Sequence, residues 1–170
     1  LRWDAQLARA KYAQELPSTP SFAGDYNKRV LVPHGVFMTA DPFNFQVAIG
    51  TDQMAKALVM GNSVIASPSD KSSLSGRLVY QIFDDALAAE GVPNQGIVNF
   101  APGGPDMKRA LLAQEGVTGL CFTGSSAALD DIITTYGSTR RVNGGGLVIA
   151  AAETSGVNPI YVHHDADAEA

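Results

Sequence analysis

The sequence predicts an α/β protein with a doubly wound, mostly parallel sheet and helices on both faces. Short apolar runs of strand type alternate with segments whose apolar residues recur at helical spacing, and the alternation repeats along most of the chain. Strand, helix, strand order implies right-handed crossovers, which bring successive strands into one parallel sheet. No linker divides the chain, so residues 1–170 are expected to form a single domain.

The individual elements are predicted from local periodicity and from stop signals. An amphipathic helix is expected over about residues 3–15, followed by a loop rich in Pro and Ser. One predicted helix ends at Gly91, with Pro93 just beyond it, as is typical of a helix C-terminus. The alternating elements are extended structure at 29–40, helix 45–61, strand 63–67, helix 74–91, strand 96–101, helix 106–116, strand 119–122, helix 126–137 and strand 146–152.

Composition excludes several classes of function. The net charge is -5, and the 12 Lys and Arg residues are scattered, so no basic stripe is available for nucleic acid. No apolar run is long enough to suggest a membrane partner. A single cysteine, Cys121, excludes an internal disulfide and favours a reducing compartment, either the cytoplasm or, in a eukaryote, the mitochondrial matrix. The chain starts without Met and stops on "HHDADAEA", so both ends are expected to be cuts in a longer protein.

Polar, small and turn-forming residues follow each of the five predicted strands. Ligands of open parallel sheets bind beyond the carboxyl ends of the strands, so these residues are site candidates. Any α/β protein whose loops need glycine has stretches of this kind, but five together indicate a site. The groups are Asp41 to Asn44, Ser67 to Asp70, Pro102 to Gly104, Thr123 to Ser125, and Glu153 to Gly156. The apolar run before Glu153 also predicts a strand buried on both faces.

Five motifs together resemble the aldehyde dehydrogenase superfamily. They are "DPFNF", "ALVMGNSVIASPSD", "GVPNQGIVNFAPG", "FTGS" and "AAETSGVNPIYVHHDAD", in this order. The resemblance extends from about Arg29 to Ala168 and is greatest to the 1-pyrroline-5-carboxylate dehydrogenase branch. It implies an NAD-binding domain of an enzyme that oxidises a small-molecule aldehyde, with glutamate semialdehyde as a candidate, to an acid through a thiohemiacetal. A homo-oligomer is expected for the full-length protein.

The resemblance also implies roles for individual residues. Glu153 matches the general base, a role that partial burial favours, and Asn44 matches the amide that donates to the oxyanion. Asp70 matches the acceptor of the adenosine ribose hydroxyls, and Ser125 matches the serine that meets the diphosphate at a helix start. Asn44 also fits an ordinary turn cap, and Ser125 a plain N-cap. The other implied cofactor-binding positions are Ala40, Asp41, Pro42, Phe43, Ser67, Pro68, Gly103, Phe122, Thr123 and Gly124.

Two departures from the family pattern leave alternatives open. Ser67 and Val157 stand where the family has lysines, which bears on cofactor affinity. The chain therefore also fits a catalytically inactive relative with a role in folding or oligomerisation, or, less well, an unrelated nucleotide-binding α/β domain. Asp70 and the uncharged Ser67 together favour NAD over NADP.

Cys121 is expected to have no catalytic role, and the adjacent residues His163 and His164 are expected to bind no metal. The family nucleophile lies beyond the end of this chain, so Cys121 is interpreted as structural and the chain alone as inactive. His163 and His164, beside Asp165, are interpreted as strand neighbours that face opposite ways, and no metal site is expected.

Overall fold

The computed structural model describes residues 1–13, 16–17, 28–143 and 149–167. Its helices are α1 (Arg2–Ala13), α2 (Gln46–Val59), α3 (Ser73–Ala89), α4 (Pro105–Leu112) and α5 (Ser126–Asn143). Its strands are β1 (Leu16–Pro17), β2 (Lys28–Arg29), β3 (Val36–Ala40), β4 (Ser63–Ala66), β5 (Val98–Phe100), β6 (Val117–Gly124) and β7 (Ile149–Thr154). Short 3-10 turns, Phe43–Phe45 and Asp70–Ser72, precede α2 and α3. Most of the predicted Pro- and Ser-rich loop lies outside the described residues.

Five of the strands form one parallel sheet in the order β5-β4-β3-β6-β7. Strands β1 and β2 form a separate antiparallel pair. From the central β3 the chain first winds outward through β4 and β5, and then crosses to β6 and β7 on the other side. The predicted doubly wound sheet is thus confirmed. Its topological switch point lies between β3 and β6, where crossovers leave in opposite directions and a crevice opens.

Apolar side chains form one core on each face of the sheet. Met38, Leu120 and Phe122 of the strands pack in a cluster with Leu112 of α4 and Ile132 of α5. The cluster on the opposite face joins strand residues to α2 and α3 and contains Met54, Ala57, Val64, Ala66, Val79 and Val98. Successive strand residues point to opposite faces, so β4 sends Val64 and Ala66 to one core while Ile65 packs against the other. The near-continuous apolar strands of the sequence therefore supply both cores.

The helix ends follow from local chemistry. Pro105 opens α4 at a position where a helix needs no backbone donor. After α3, Gly91 adopts a positive φ of +71°, which lets the backbone turn away from the helix axis. The prediction that Gly91 ends this helix is confirmed.

Strand β7 differs from its prediction in position and in burial. It runs to Thr154, so Glu153 lies within the strand and not after it. The prediction that the run before Glu153 is buried on both faces is wrong: Ile149, Ala150 to Ala152 and Glu153 are exposed. β7 is an edge strand that pairs with β6 alone, and neither core cluster of the described residues includes one of its side chains, so its faces are left uncovered.

Within the described part of the chain, no helix combines the length and apolarity that a membrane crossing requires.

Candidate cofactor-binding and active site

A cavity of about 500 Å³ lies at the switch point between β3 and β6. Helices α4 and α5 form one wall, and the turns after β3 and β4 form another. Nine of the predicted cofactor-binding residues line this cavity. They are Ala40, Asp41, Pro42, Phe43, Asp70, Phe122, Thr123, Gly124 and Ser125.

Asp70 is held by its own turn with one carboxylate oxygen aimed at the start of α4. Its Oδ1 accepts hydrogen bonds from the backbone N–H of Lys71 at 3.0 Å and from Ser69 Oγ at 3.3 Å. Its Oδ2 lies 3.9 Å from the position that a Cβ at Gly104 would take, so the missing side chain of Gly104 leaves space beside this oxygen. Asp70 can therefore accept hydrogen bonds from hydroxyl groups of a ligand in the cavity.

Ser125 caps helix α5 at the floor of the cavity. Its Oγ accepts a hydrogen bond from the backbone N–H of Ala128 at 3.2 Å, which is N-cap geometry. Ser125 therefore acts as the N-cap of α5, which is one of the two interpretations that the sequence left open. The other N–H groups of the first helical turn have no partner within the helix, and together with the macrodipole they favour an anion here.

Asp41 is buried beside the cavity. Only 6% of its surface is exposed, and its Oδ2 has no hydrogen-bond partner. Burial raises the pKa of Asp41 from 3.8 to about 6, while a hydrogen bond with Gln46 and the charge of Lys108 oppose this increase.

Three predicted cofactor-binding residues, Ser67, Pro68 and Gly103, do not line the cavity. Ser67 is fully buried and its Oγ has no hydrogen-bond partner. Pro68 and Gly103 contribute backbone carbonyls, each of which accepts a hydrogen bond from Lys108 Nζ. Since Ser67 and Pro68 are fully buried and Gly103 has no side chain, none of the three presents a side chain to a ligand in this cavity.

The two predicted catalytic residues line a neighbouring cavity of about 490 Å³. Asn44 lies in the 3-10 turn after β3, and Glu153 lies near the end of β7. Both side chains are exposed. Among the described contacts Asn44 makes no side-chain hydrogen bond, so nothing there supports its turn-cap interpretation. The two cavities share the residues Pro42, Phe43, Thr123, Gly124 and Ser125.

Cys121 and Glu153 line a third cavity, between α2 and the strands β6 and β7. Cys121 is half-buried, and burial raises the pKa of its thiol. A raised pKa disfavours the thiolate, which is the nucleophilic form of cysteine. This environment fits the structural interpretation of Cys121.

His163 and His164 lie outside any strand, contrary to prediction. Residues 155–163 have no regular secondary structure, and a turn begins at His164. The two rings are 4.3 Å apart, and the potential ligand atoms of His163, His164 and Asp165 lie within 4.8 Å of one another. The argument from opposite strand faces is thus wrong, and the absence of a metal stays a prediction.

Two further residues contribute to the cleft, of which Ser155 was among the candidates that follow the predicted strands and Lys108 was not. Lys108, in the first turn of α4, lines the cofactor cavity, and Ser155 Oγ is hydrogen-bonded to Ser126 Oγ at 3.0 Å. A cation near a helix N-terminus opposes the macrodipole, which is the signal that could have drawn attention to Lys108. Ser155 carries a positive φ of +31°, which its sequence context does not indicate.

The fold is a doubly wound α/β domain with a cavity at its switch point. The whole chain, residues 1–170, matches the aldehyde dehydrogenase family. It is 35% identical over 130 residues to N-succinylglutamate 5-semialdehyde dehydrogenase of Novosphingobium aromaticivorans, which covers 76% of this chain and 25% of that protein. The chain belongs to the aldehyde dehydrogenase family, and it spans about a quarter of the length of this relative.

Solved structures of the same family share the fold. The 1-pyrroline-5-carboxylate dehydrogenase from Thermus with bound NAD superposes with a TM-score of 0.76 at 28% identity, covering 90% of this chain and 29% of that one. The NAD-dependent benzaldehyde dehydrogenase from Corynebacterium glutamicum gives a TM-score of 0.75 at 25% identity, covering 96% of this chain and 33% of that one. The resemblance to aldehyde dehydrogenases seen in the sequence is confirmed.

Proposed function

We propose that this chain is the NAD-binding portion of an aldehyde dehydrogenase that oxidises an aldehyde to a carboxylic acid. The observation that carries the proposal is the cavity at the switch point, which brings Asp70 and the N-terminus of α5 to one surface. A carboxylate that accepts from ribose hydroxyls and a helix start that attracts a diphosphate are the two features that a dinucleotide needs.

The residues of the cavity fit NAD in chemistry as well as in position. Asp70 Oδ2 faces open space beside Gly104, and Ser125 ends the turn after β6, where the first N–H groups of α5 are directed toward a ligand. Gly124 also lines this cavity, and packing within the protein favours glycine there, since a Cβ would lie 2.7 Å from Phe122 Cζ. When bound, NAD supplies the oxidant. The residues of the chain bind and orient it.

Asn44 and Glu153 are proposed to act at the reacting end of the cleft. Asn44 Nδ2 would donate to the oxygen of the reacting carbonyl, and Glu153 would accept a proton from the attacking nucleophile or from water. Both line the cavity next to the cofactor cavity, as a reaction between cofactor and aldehyde requires. The nucleophilic cysteine would come from a part of the enzyme outside this chain.

Relatives suggest a semialdehyde of the glutamate type as substrate. The sequence relative is named for N-succinylglutamate 5-semialdehyde, and one structural relative is a 1-pyrroline-5-carboxylate dehydrogenase. Both names point to a five-carbon amino-acid semialdehyde, which is the substrate class that we propose.

An inactive, structural role is the second candidate, and burial of Ser67 is the observation that favours it. Ser67 is 0% exposed, so the position where the family has a lysine offers no cation to a ligand. A domain that had lost cofactor binding would tolerate this change. The binding experiment below separates the two candidates.

Calorimetric titration of the chain with NAD tests the proposed function. We expect saturable binding, and we expect Asp70→Asn to weaken it about tenfold, because the variant loses a charge-assisted acceptor. Asp85→Asn is the matched control, since Asp85 is an exposed acid on α3 that does not line the cavity. Absence of binding at millimolar NAD, or equal effects of the two variants, would contradict the proposal.

A further inference from the structure

The side chain of Lys108 is hydrogen-bonded to backbone carbonyls in the turns that follow two strands, β4 and β5. Its Nζ donates to the carbonyl oxygen of Pro68, after β4, at 2.9 Å and to that of Gly103, after β5, at 2.8 Å. An ammonium group has three N–H donors. Two are used in this way, so one remains for a group in the cavity that Lys108 lines.

Two nearby acids place Lys108 in the part of the cavity that is proposed to bind the adenosine ribose. Burial lowers the pKa of Lys108, and the charges of Asp41 and Asp70 oppose this decrease. Asp70 Oδ2 is directed to the start of α4, the helix that carries Lys108. The ammonium and the carboxylate proposed to bind ribose therefore border the same part of the cavity.

The other two cations of this cavity are engaged elsewhere. Lys71 Nζ lies 5.1 Å from the centre of the Phe43 ring, on the opposite wall. Arg109 is bonded to Asp106 and Asp131. Arg109 keeps two of its five N–H donors, but two carboxylates already neutralise its charge, whereas among the described residues Lys108 is hydrogen-bonded only to neutral carbonyls and keeps one donor.

The location of Lys108 is also unfavourable for stability alone. A cation in the first turn of α4 opposes the helix macrodipole, and its ammonium is removed from part of its water. Two carbonyl bonds offset this cost, but an uncharged donor could make them as well. Attraction to Asp41 and Asp70 offsets part of the remaining cost, so the ammonium stands beside the cavity, where it can meet a ligand.

We propose that Lys108 is a specificity-determining residue of the adenosine-ribose subsite, where it supplies the cation that Ser67 does not. This inference rests on the proposed function, because it requires a dinucleotide in the cavity. Its remaining N–H donates to a ribose hydroxyl beside Asp70. With NADP the same ammonium faces the 2'-phosphate and offsets the repulsion from Asp70, so Lys108 matters more for NADP than for NAD.

Titration of the parent and of three lysine variants with NAD and NADP tests the role of Lys108. Lys108→Met keeps the length of the side chain and removes the charge. We expect it to raise the Kd for NAD about tenfold and the Kd for NADP by a clearly larger factor. Lys108→Arg keeps charge and donors and should bring both values back to within about threefold of the parent. Lys11→Met is the matched control, since Lys11 is an exposed lysine of α1 that does not line the cavity, and it should change neither Kd by more than about threefold.

Three results would overturn the assignment. One is that Lys108→Met binds both nucleotides as tightly as the control Lys11→Met does. Another is an equal loss for NAD and NADP together with a lowered Tm, which is the mark of a structural tether. In both of these cases the parent still binds NAD, so the proposed function stands. The third is a parent that binds neither nucleotide, and then the proposed function fails as well.

Discussion

The two sides of the cleft differ in how firmly the described residues hold their polar side chains. On the side of α4, Asp70 and Lys108 are fixed by turn and carbonyl hydrogen bonds, and Asp41 is buried behind them. On the side of β7, Glu153 and Asn44 are exposed on an edge strand and on a turn. The residues proposed to bind the cofactor are therefore held in place by the described part of the chain, whereas Asn44 and Glu153, proposed for catalysis, are left exposed.

The largest expected effect is on the β7 side. In a full-length enzyme that contains this chain, Glu153→Gln should lower turnover by about 10²- to 10⁴-fold, because the amide keeps the shape but cannot accept the proton. NAD binding should be unchanged, since Glu153 does not line the cofactor cavity. Steady-state kinetics and a titration check both. Turnover within a factor of three of the parent would remove Glu153 from its proposed role.

The next largest expected effect is a pH dependence of the free energy of unfolding, which arises from Asp41 on the α4 side of the cleft. The pKa of Asp41 is raised to about 6 in the folded chain, from 3.8. Between these values the folded state binds more protons than the unfolded state, so the free energy of unfolding falls as pH rises through this window. The decrease is about 3 kcal/mol at most, from a shift of roughly two units.

Urea unfolding of the parent and of Asp41→Asn measures this dependence. The stability of the variant relative to the parent should increase from about pH 4 to about pH 6 and then level off. A difference between the two proteins that does not vary with pH would show that Asp41 does not titrate in this window.

A larger side chain at Gly76 should disrupt the packing of α3 against Pro68, which precedes the turn that holds Asp70. A Cβ at Gly76, in α3, would lie 2.7 Å from Cβ and Cγ of Pro68, whose ring is rigid and buried. Gly76→Ala is expected to destabilise the chain by about 1–2 kcal/mol, as overpacking outweighs the gain in helix propensity. Gly116→Ala is the control, because nothing lies within 4 Å of its Cβ. Equal Tm values for the two variants would disprove the steric argument.

The smallest effect concerns the ion pair that joins the two helices of the cavity wall. Arg109 of α4 donates to Asp131 Oδ2 of α5 at 2.9 Å, and both side chains are partly exposed. A double-mutant cycle with Arg109→Gln and Asp131→Asn should give a coupling energy of about 0.5 kcal/mol, decreasing with added salt. A coupling energy several times larger, and independent of salt, would contradict the description of Arg109 and Asp131 as an exposed ion pair.

Local sequence information was sufficient for most of the fold. The apolar strands, the helical periodicity and the stop at Gly91 predict a doubly wound sheet because the type, order and ends of the elements depend on nearby residues. The motifs that resemble aldehyde dehydrogenases likewise single out Asp70, Ser125, Asn44 and Glu153 before any geometry is known. The roles of these four residues remain predictions.

Tertiary structure alone decided which side chains reach the cleft. Ser67 follows a strand as Asp70 does, yet it is buried whereas Asp70 lines the cavity. Lys108 reaches the cavity because Pro68 and Gly103, 40 and five residues away, offer their carbonyls to its ammonium. Ala150 to Ala152 are as apolar as a buried strand, but they are exposed because the edge strand β7 contributes to neither core cluster of the described residues. Burial and long-range hydrogen bonding depend on how the elements pack, which local periodicity does not encode.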